Sequence, residues 1–120
     1  MLYQLYVCLS LLGLMACNIS ESTKHQQCVG AVGEPLIFYL PTTATKITLN
    51  KNQTIILRIV NNTFIDSDFF TFFTNGTVKL NNVLKKHFGD YLWEFFKSDG
   101  KLSHEVKMHL EIQGKIFFKV

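Results

Sequence analysis

The stretch Gly89-Asp90-Tyr91-Leu92-Trp93-Glu94-Phe95-Phe96, followed by Lys97-Ser98-Asp99-Gly100, decides the fold class. Tyr91, Trp93 and Phe95 fall on one side of a two-residue period, and Leu92, Glu94 and Phe96 on the other. Aromatic residues suit strands, and Ser98-Asp99-Gly100 is a turn signal. Downstream, Val106, Met108, Leu110 and Ile112 alternate with Lys107, His109 and Glu111. Upstream, Leu36-Ile37-Phe38-Tyr39-Leu40 lies between Gly33 and Pro41, and Ile47 and Leu49 alternate with Thr48 and Asn50. Ile55-Ile56-Leu57-Arg58-Ile59-Val60 is bounded by Asn-rich segments, and Phe69-Phe70-Thr71-Phe72-Phe73 runs into the turn dipeptide Asn75-Gly76 before Thr77, Val78 and Leu80. Only residues 83–88 read as a single helical turn. Short strands at regular spacing with turn signals between them predict an all-β sandwich or barrel.

Composition agrees. A chain of 120 residues with 48% hydrophobic and 18% charged content makes one domain. Eleven Phe against two Pro enrich it in strand formers. The net charge of +3 comes from scattered lysines and the single Arg58, which is too diffuse for nucleic acid. Catalysis has no foothold. No Gly-rich phosphate loop and no Ser–His–acid set is present, so neither an enzyme nor a cofactor is expected. His104 and His109 are an odd number of residues apart, which puts them on opposite faces of a strand and excludes a shared metal.

The first twenty residues carry no charged side chain, and an apolar run from Leu2 to Met15 breaks at Ala16-Cys17-Asn18. This reads as a secretory leader over 1–20, with the cut between Ala16 and Ser22 and one domain over 21–120. An uncleaved anchor is the alternative, and the run is short for a membrane span. Leu14-Met15-Ala16-Cys17 resembles a lipoprotein box, but no basic residue precedes it. On this boundary Cys8 and Cys17 belong to the leader or its edge, only Cys28 is secure in the domain, and no intrachain disulfide is expected. Four N-x-S/T sequons, at Asn18, Asn52, Asn61 and Asn75, suggest a glycosylated extracellular product.

Gly89-Asp90-Tyr91 resembles the tyrosine corner that opens strand F of immunoglobulin-like domains. Trp93 stands where an antibody-type domain has its second Cys, and the strand B counterpart falls in Leu36-Ile37-Phe38, also apolar. Three segments narrow the resemblance. They are Gly30-Ala31-Val32-Gly33-Glu34-Pro35-Leu36-Ile37-Phe38-Tyr39-Leu40-Pro41, the run from Asp68 through Asn75-Gly76-Thr77 to Leu80, and the spacing from Asn81 through Tyr91 and Ser98-Asp99-Gly100-Lys101 to Gln113. Together they resemble the membrane-distal V-type domain of the family of the T-lymphocyte adhesion receptor cluster of differentiation two (CD-two) and the signalling lymphocytic activation molecules. That family's first domain also lacks the inter-sheet disulfide. The chain departs from the pattern at Leu49, where such domains place the strand C Trp, and at Thr42-Thr43-Ala44-Thr45, where the family is acidic. The resemblance covers about residues 28 to 113.

The resemblance implies an immunoglobulin-like V-type β-sandwich that binds a like-folded cell-surface counter-receptor through one sheet face. The residues expected there are Lys46, Thr48, Asn50, Lys51, Arg58, Leu92, Glu94, Phe96, Lys101, Lys107 and His109, with Phe96 at an aromatic ligand-contact position. An outward Leu92 beside Phe96 favours a binding face over an idle solvated one. The expected function is a secreted decoy or modulator of leukocyte adhesion. The alternative is a secreted, self-associating structural protein of the same fold, a homodimer with Cys28 as a possible covalent link.

Overall fold

Every period-two stretch folds as a strand. A computed structural model describes residues 15–19, 24–41, 44–65, 69–73 and 76–114. The strands are β1 (Met15–Asn18), β2 (His25–Ala31), β3 (Leu36–Tyr39), β4 (Lys46–Lys51), β5 (Thr54–Val60), β6 (Thr63–Ile65), β7 (Phe70–Phe73), β8 (Thr77–Leu80), β9 (Gly89–Phe96) and β10 (Leu102–Gln113). One turn of 3-10 helix, Lys85–His87, sits within the expected helical segment. The strands form a four-stranded sheet, β1-β3-β8-β7, and a six-stranded sheet, β2-β10-β9-β4-β5-β6. Strands β1, β2 and β6 go beyond those that periodicity marks.

The core lies between the sheets. Trp93, Phe38 and Phe95 are its largest fully buried side chains. Phe38 packs on Trp93 with ring centroids 5.6 Å apart, and the indole Nε1–H donates to the Met108 sulfur at 3.4 Å. Leu49, at the position where immunoglobulin-like domains place a strand C Trp, pairs with the buried Trp93 across β4 and β9. The Tyr91 hydroxyl donates to the His87 carbonyl four residues upstream, which closes the tyrosine corner. Gly89, at φ 137°, lets the backbone turn into β9.

Hairpins follow the local chemistry. Asn52-Gln53 and Asn61-Asn62 each form a two-residue connection with both φ values positive, at 52°, 65°, 50° and 60°. These are type I′ turns, whose twist matches that of the flanking strands. Gly76 and Gly100 take positive φ at the other two expected turns. In the second, Lys97 N–H donates to the Lys101 carbonyl at 2.9 Å and Lys101 N–H to Asp99 Oδ1 at 2.9 Å.

One sequence expectation needs correction. A disulfide joins Cys17 to Cys28, with Cα atoms 5.8 Å apart. It ties β1 of one sheet to β2 of the other, so the absence of a disulfide holds only for the strand B and strand F positions, Phe38 and Trp93. The reason lies in β1. Met15, Cys17 and Ile19 are buried while Ala16 and Asn18 are exposed, so a leader-like apolar run ends in a half-buried strand. Hydropathy alone cannot separate the two. Strand β1 thus lies ahead of the boundary expected after residue 20. Residues 1–14, which hold most of the expected leader, lie outside the described residues.

Candidate functional site

The outer face of β10-β9-β4-β5 carries the expected site residues in rows set by register. In the first row Leu102 pairs with Phe96, Phe96 with Lys46, and Lys46 with Val60. In the second Glu105 pairs with Glu94, Glu94 with Thr48, and Thr48 with Arg58. In the third Lys107 pairs with Leu92, Leu92 with Asn50, and Asn50 with Ile55. His109 pairs with Asp90 below them.

The centre of this face is polar and locked. Thr48 Oγ1 donates to Glu94 Oε1 at 3.0 Å, and Asn50 Nδ2 donates to the same oxygen at 2.8 Å. Thr48 lies beneath its neighbours at 2% exposure, so it braces Glu94 instead of offering a contact of its own. Arg58, across from Thr48, has its Nε buried with no hydrogen-bond partner among the described residues. Above the cluster, Lys46 Nζ stands 4.9 Å from the centroid of the Phe96 ring. Lys101 is exposed in the β9–β10 turn, and Lys107 is exposed on β10.

Below the cluster lies an open groove of about 690 Å³, lined in part by His25, Gln27, Asn50, Leu92, Lys107 and His109. His109 Nδ1 is 2.7 Å from Asp90 Oδ1 and Nε2 is 3.1 Å from Glu111 Oε1, with the Phe88 ring edge-on at 5.3 Å. Hydrogen bonding to Asp90, then to Glu111, raises its pKa above the usual imidazole value. His104 instead stacks on the core ring of Phe95 at 4.7 Å, so the two histidines do lie on opposite faces. No group of three metal-ligating side chains occurs among the described residues.

Several expected site residues sit differently from the sequence reading. Lys51 shares the inward parity of Ile47 and Leu49. Its Nζ donates to the Lys86 carbonyl at 2.8 Å and lies 4.9 Å from the Tyr91 ring centroid, away from the face. Burial lowers its pKa. Leu92 and Phe96 are half-buried, and the more exposed apolar side chains on the strands of this face are Leu102 and Ile55, at 46% and 44%. The sequence reading missed both. Leu102 follows a turn and precedes a register shift, and a register shift also separates Leu49 from Asn50 opposite Ile55, so strict alternation misplaces them. Of the expected glycosylation sites, Asn52 and Asn61 are exposed, and Asn75 lies outside the described residues.

No family model matches the sequence, and no curated protein matches it either. Solved structures do. The CD2-binding domain of CD58 (lymphocyte function-associated antigen 3) superposes with a TM-score of 0.58 at 19% identity, covering 73% of this chain and 53% of that one. Murine CEACAM1b gives a TM-score of 0.56 at 16% identity, covering 74% of this chain and 51% of that one. The chain thus spans about half the length of these two. CD84, of the SLAM family, gives 0.57 at 13% identity and covers 85% of this chain and 99% of that one. At such identities the likeness speaks for the fold. With the two-sheet topology and the tyrosine corner, it makes this chain a V-type immunoglobulin-like domain.

Proposed function

We propose that the chain is a secreted recognition domain that binds an immunoglobulin-like counter-receptor on leukocytes through the outer face of β10-β9-β4-β5. It acts there as a soluble decoy or modulator of adhesion in the manner of the CD-two family. The observation that carries this reading is the Thr48–Asn50–Glu94 cluster. A carboxylate held by two donors is pre-organised, so little side-chain entropy is lost when a partner docks over it. Phe96 under Lys46, with Leu102 beside it, supplies an apolar anchor, and Lys101, Lys107 and Arg58 surround it with charge that favours specificity and association rate. The similarity to the CD2-binding domain of CD58 supports the same reading. The leader is taken to end ahead of Met15, because β1 contributes buried residues to the core.

The test is binding of the tagged, secreted chain to leukocytes, alongside its sedimentation behaviour. Saturable binding by a monomer supports the reading. A stable dimer without cell binding sinks it and favours the self-associating alternative.

A further inference from the structure

The sequons differ in why an Asn is there. Asn52 and Asn61 occupy left-handed positions of type I′ turns, a conformation Asn tolerates better than most residues, so backbone geometry alone accounts for them. Asn18 has no such reason. It sits on β1, in a strand conformation that Asn disfavours, exposed and with its side chain hydrogen-bonded to none of the described residues. Ser20 completes its sequon.

Its surroundings point the same way. β1 is the edge of the four-stranded sheet, and an exposed edge is a template for pairing with other chains. In the parallel register Asn18 lies beside Tyr39, which is 46% exposed, and the row continues through Thr77 to Phe73, which is 40% exposed. The next row on this outer face is Ala16, Ile37, Lys79 and Thr71. Lys79 is the single charged side chain of the two rows. A face this poor in charge, with the Tyr39 and Phe73 rings exposed on it, lacks what normally keeps a sheet surface solvated.

We infer that Asn18 is an N-glycosylation site whose proximal N-acetylglucosamine lies on the Tyr39 ring and covers both the β1 edge and the sparsely charged outer face of the four-stranded sheet. Neighbouring strands run about 4.8 Å apart, so Asn18 and Tyr39 project side by side and the sugar's C–H face can rest on the ring. The glycan leaves the opposite face, on β10-β9-β4-β5, open. The inference rests on the secretory part of the proposed function.

Expression of the full chain in mammalian cells tests it. Peptide mapping after enzymatic deglycosylation should find Asn18 converted to aspartate in the majority of secreted chains, and Ser20→Ala should remove one glycan's electrophoretic step without altering Asn18 itself. The folded Ser20→Ala protein should self-associate at concentrations where the parent is monomeric, and Tyr39→Ser added to it should restore the monomer. An unmodified Asn18 beside glycans on the other sequons overturns the inference and leaves secretion standing. A product without glycans that stays in the cell overturns both. An occupied Asn18 whose loss changes neither self-association nor the reactivity of Tyr39 toward iodination overturns the covering role.

Discussion

Phe95 and Phe96 are chemically the same and differ only in the side of β9 they face. Phe95 is fully buried and stacks between Trp93 and His104, whereas Phe96 is half-buried under Lys46. Phe95→Ala is expected to cost about 3–5 kcal/mol of stability in urea unfolding, the range for emptying a core aromatic site. Phe96→Ala should fold and lose about 1–3 kcal/mol of counter-receptor binding, as truncated anchor residues do. If Phe96→Ala unfolds the domain while Phe95→Ala is tolerated, the register is inverted. Two histidines make a second contrast. Burial, then the charges of Lys86 and Lys51, lowers the pKa of His87, whose Nδ1 accepts from Leu84 N–H at 2.9 Å. A lowered folded value means that its contribution is complete above the unfolded value of 6.5 and is lost as pH falls toward the folded one. His109, with Asp90, Glu111 and the Phe88 ring around it, has the opposite sign. Its contribution is complete below 6.5 and is lost as pH rises through its raised value. Urea midpoints followed between about pH 5 and pH 8 should therefore lose part of their acid-side fall in His87→Gln. His109→Gln should change them weakly and only on the other side, because solvent screens an exposed pair.

At the scale of elements, two of the connections are hairpins that require positive φ at consecutive positions, and the sequence fills them unequally. Asn52 is at ease there, but Gln53, at φ 65°, carries a Cβ that crowds its carbonyl. Gln53→Gly removes that cost and keeps the sequon, since Thr54 is untouched. Thermal or chemical unfolding should show a gain of about 1 kcal/mol, and a loss would mean that the turn is not type I′. Strand β1 shows a different balance. It adds only four residues, but three buried side chains at and just beyond it, Met15, Cys17 and Ile19, help close the core where the two sheets meet.

For the whole molecule, the disulfide is the one side-chain cross-link between the sheets among the described residues. Cys17 and Cys28 are 11 positions apart, and closing a loop of that size restricts the unfolded chain by about 2.5–3 kcal/mol in the chain-entropy account. Non-reducing peptide mapping should recover them linked, and the Cys17→Ser, Cys28→Ser double variant should unfold at correspondingly lower urea. Recovery of Cys28 as a free thiol or an intermolecular bond would show that β1 does not dock as described. The two outer faces also differ in kind. One carries Lys46, Arg58, Glu94, Lys107 and Glu111, and the other only Lys79 along its two central rows, so charge is spread over one face and sparse on the other.

The sequence by itself determined the sandwich, because side chains in a strand alternate whatever they pack against. Alternation alone puts Tyr91, Trp93 and Phe95 inward and Glu94 and Phe96 outward, whichever strand pairs with them. The tyrosine corner and the turns at Gly76 and Gly100 were likewise local, set by residues within a few positions of each other. Only the tertiary structure decided what depends on neighbours distant in sequence. Cys17 meets Cys28 because β1 and β2 join different sheets at one edge, and an apolar run looks the same in a leader as in a strand. Thr48 braces Glu94 because β4 lies beside β9. Lys51 leaves the outer face of β10-β9-β4-β5 because its parity is inward and the Lys86 carbonyl waits at the end of the sheet. Leu102 and Ile55 join that face because register shifts break the alternation on which a one-dimensional reading relies.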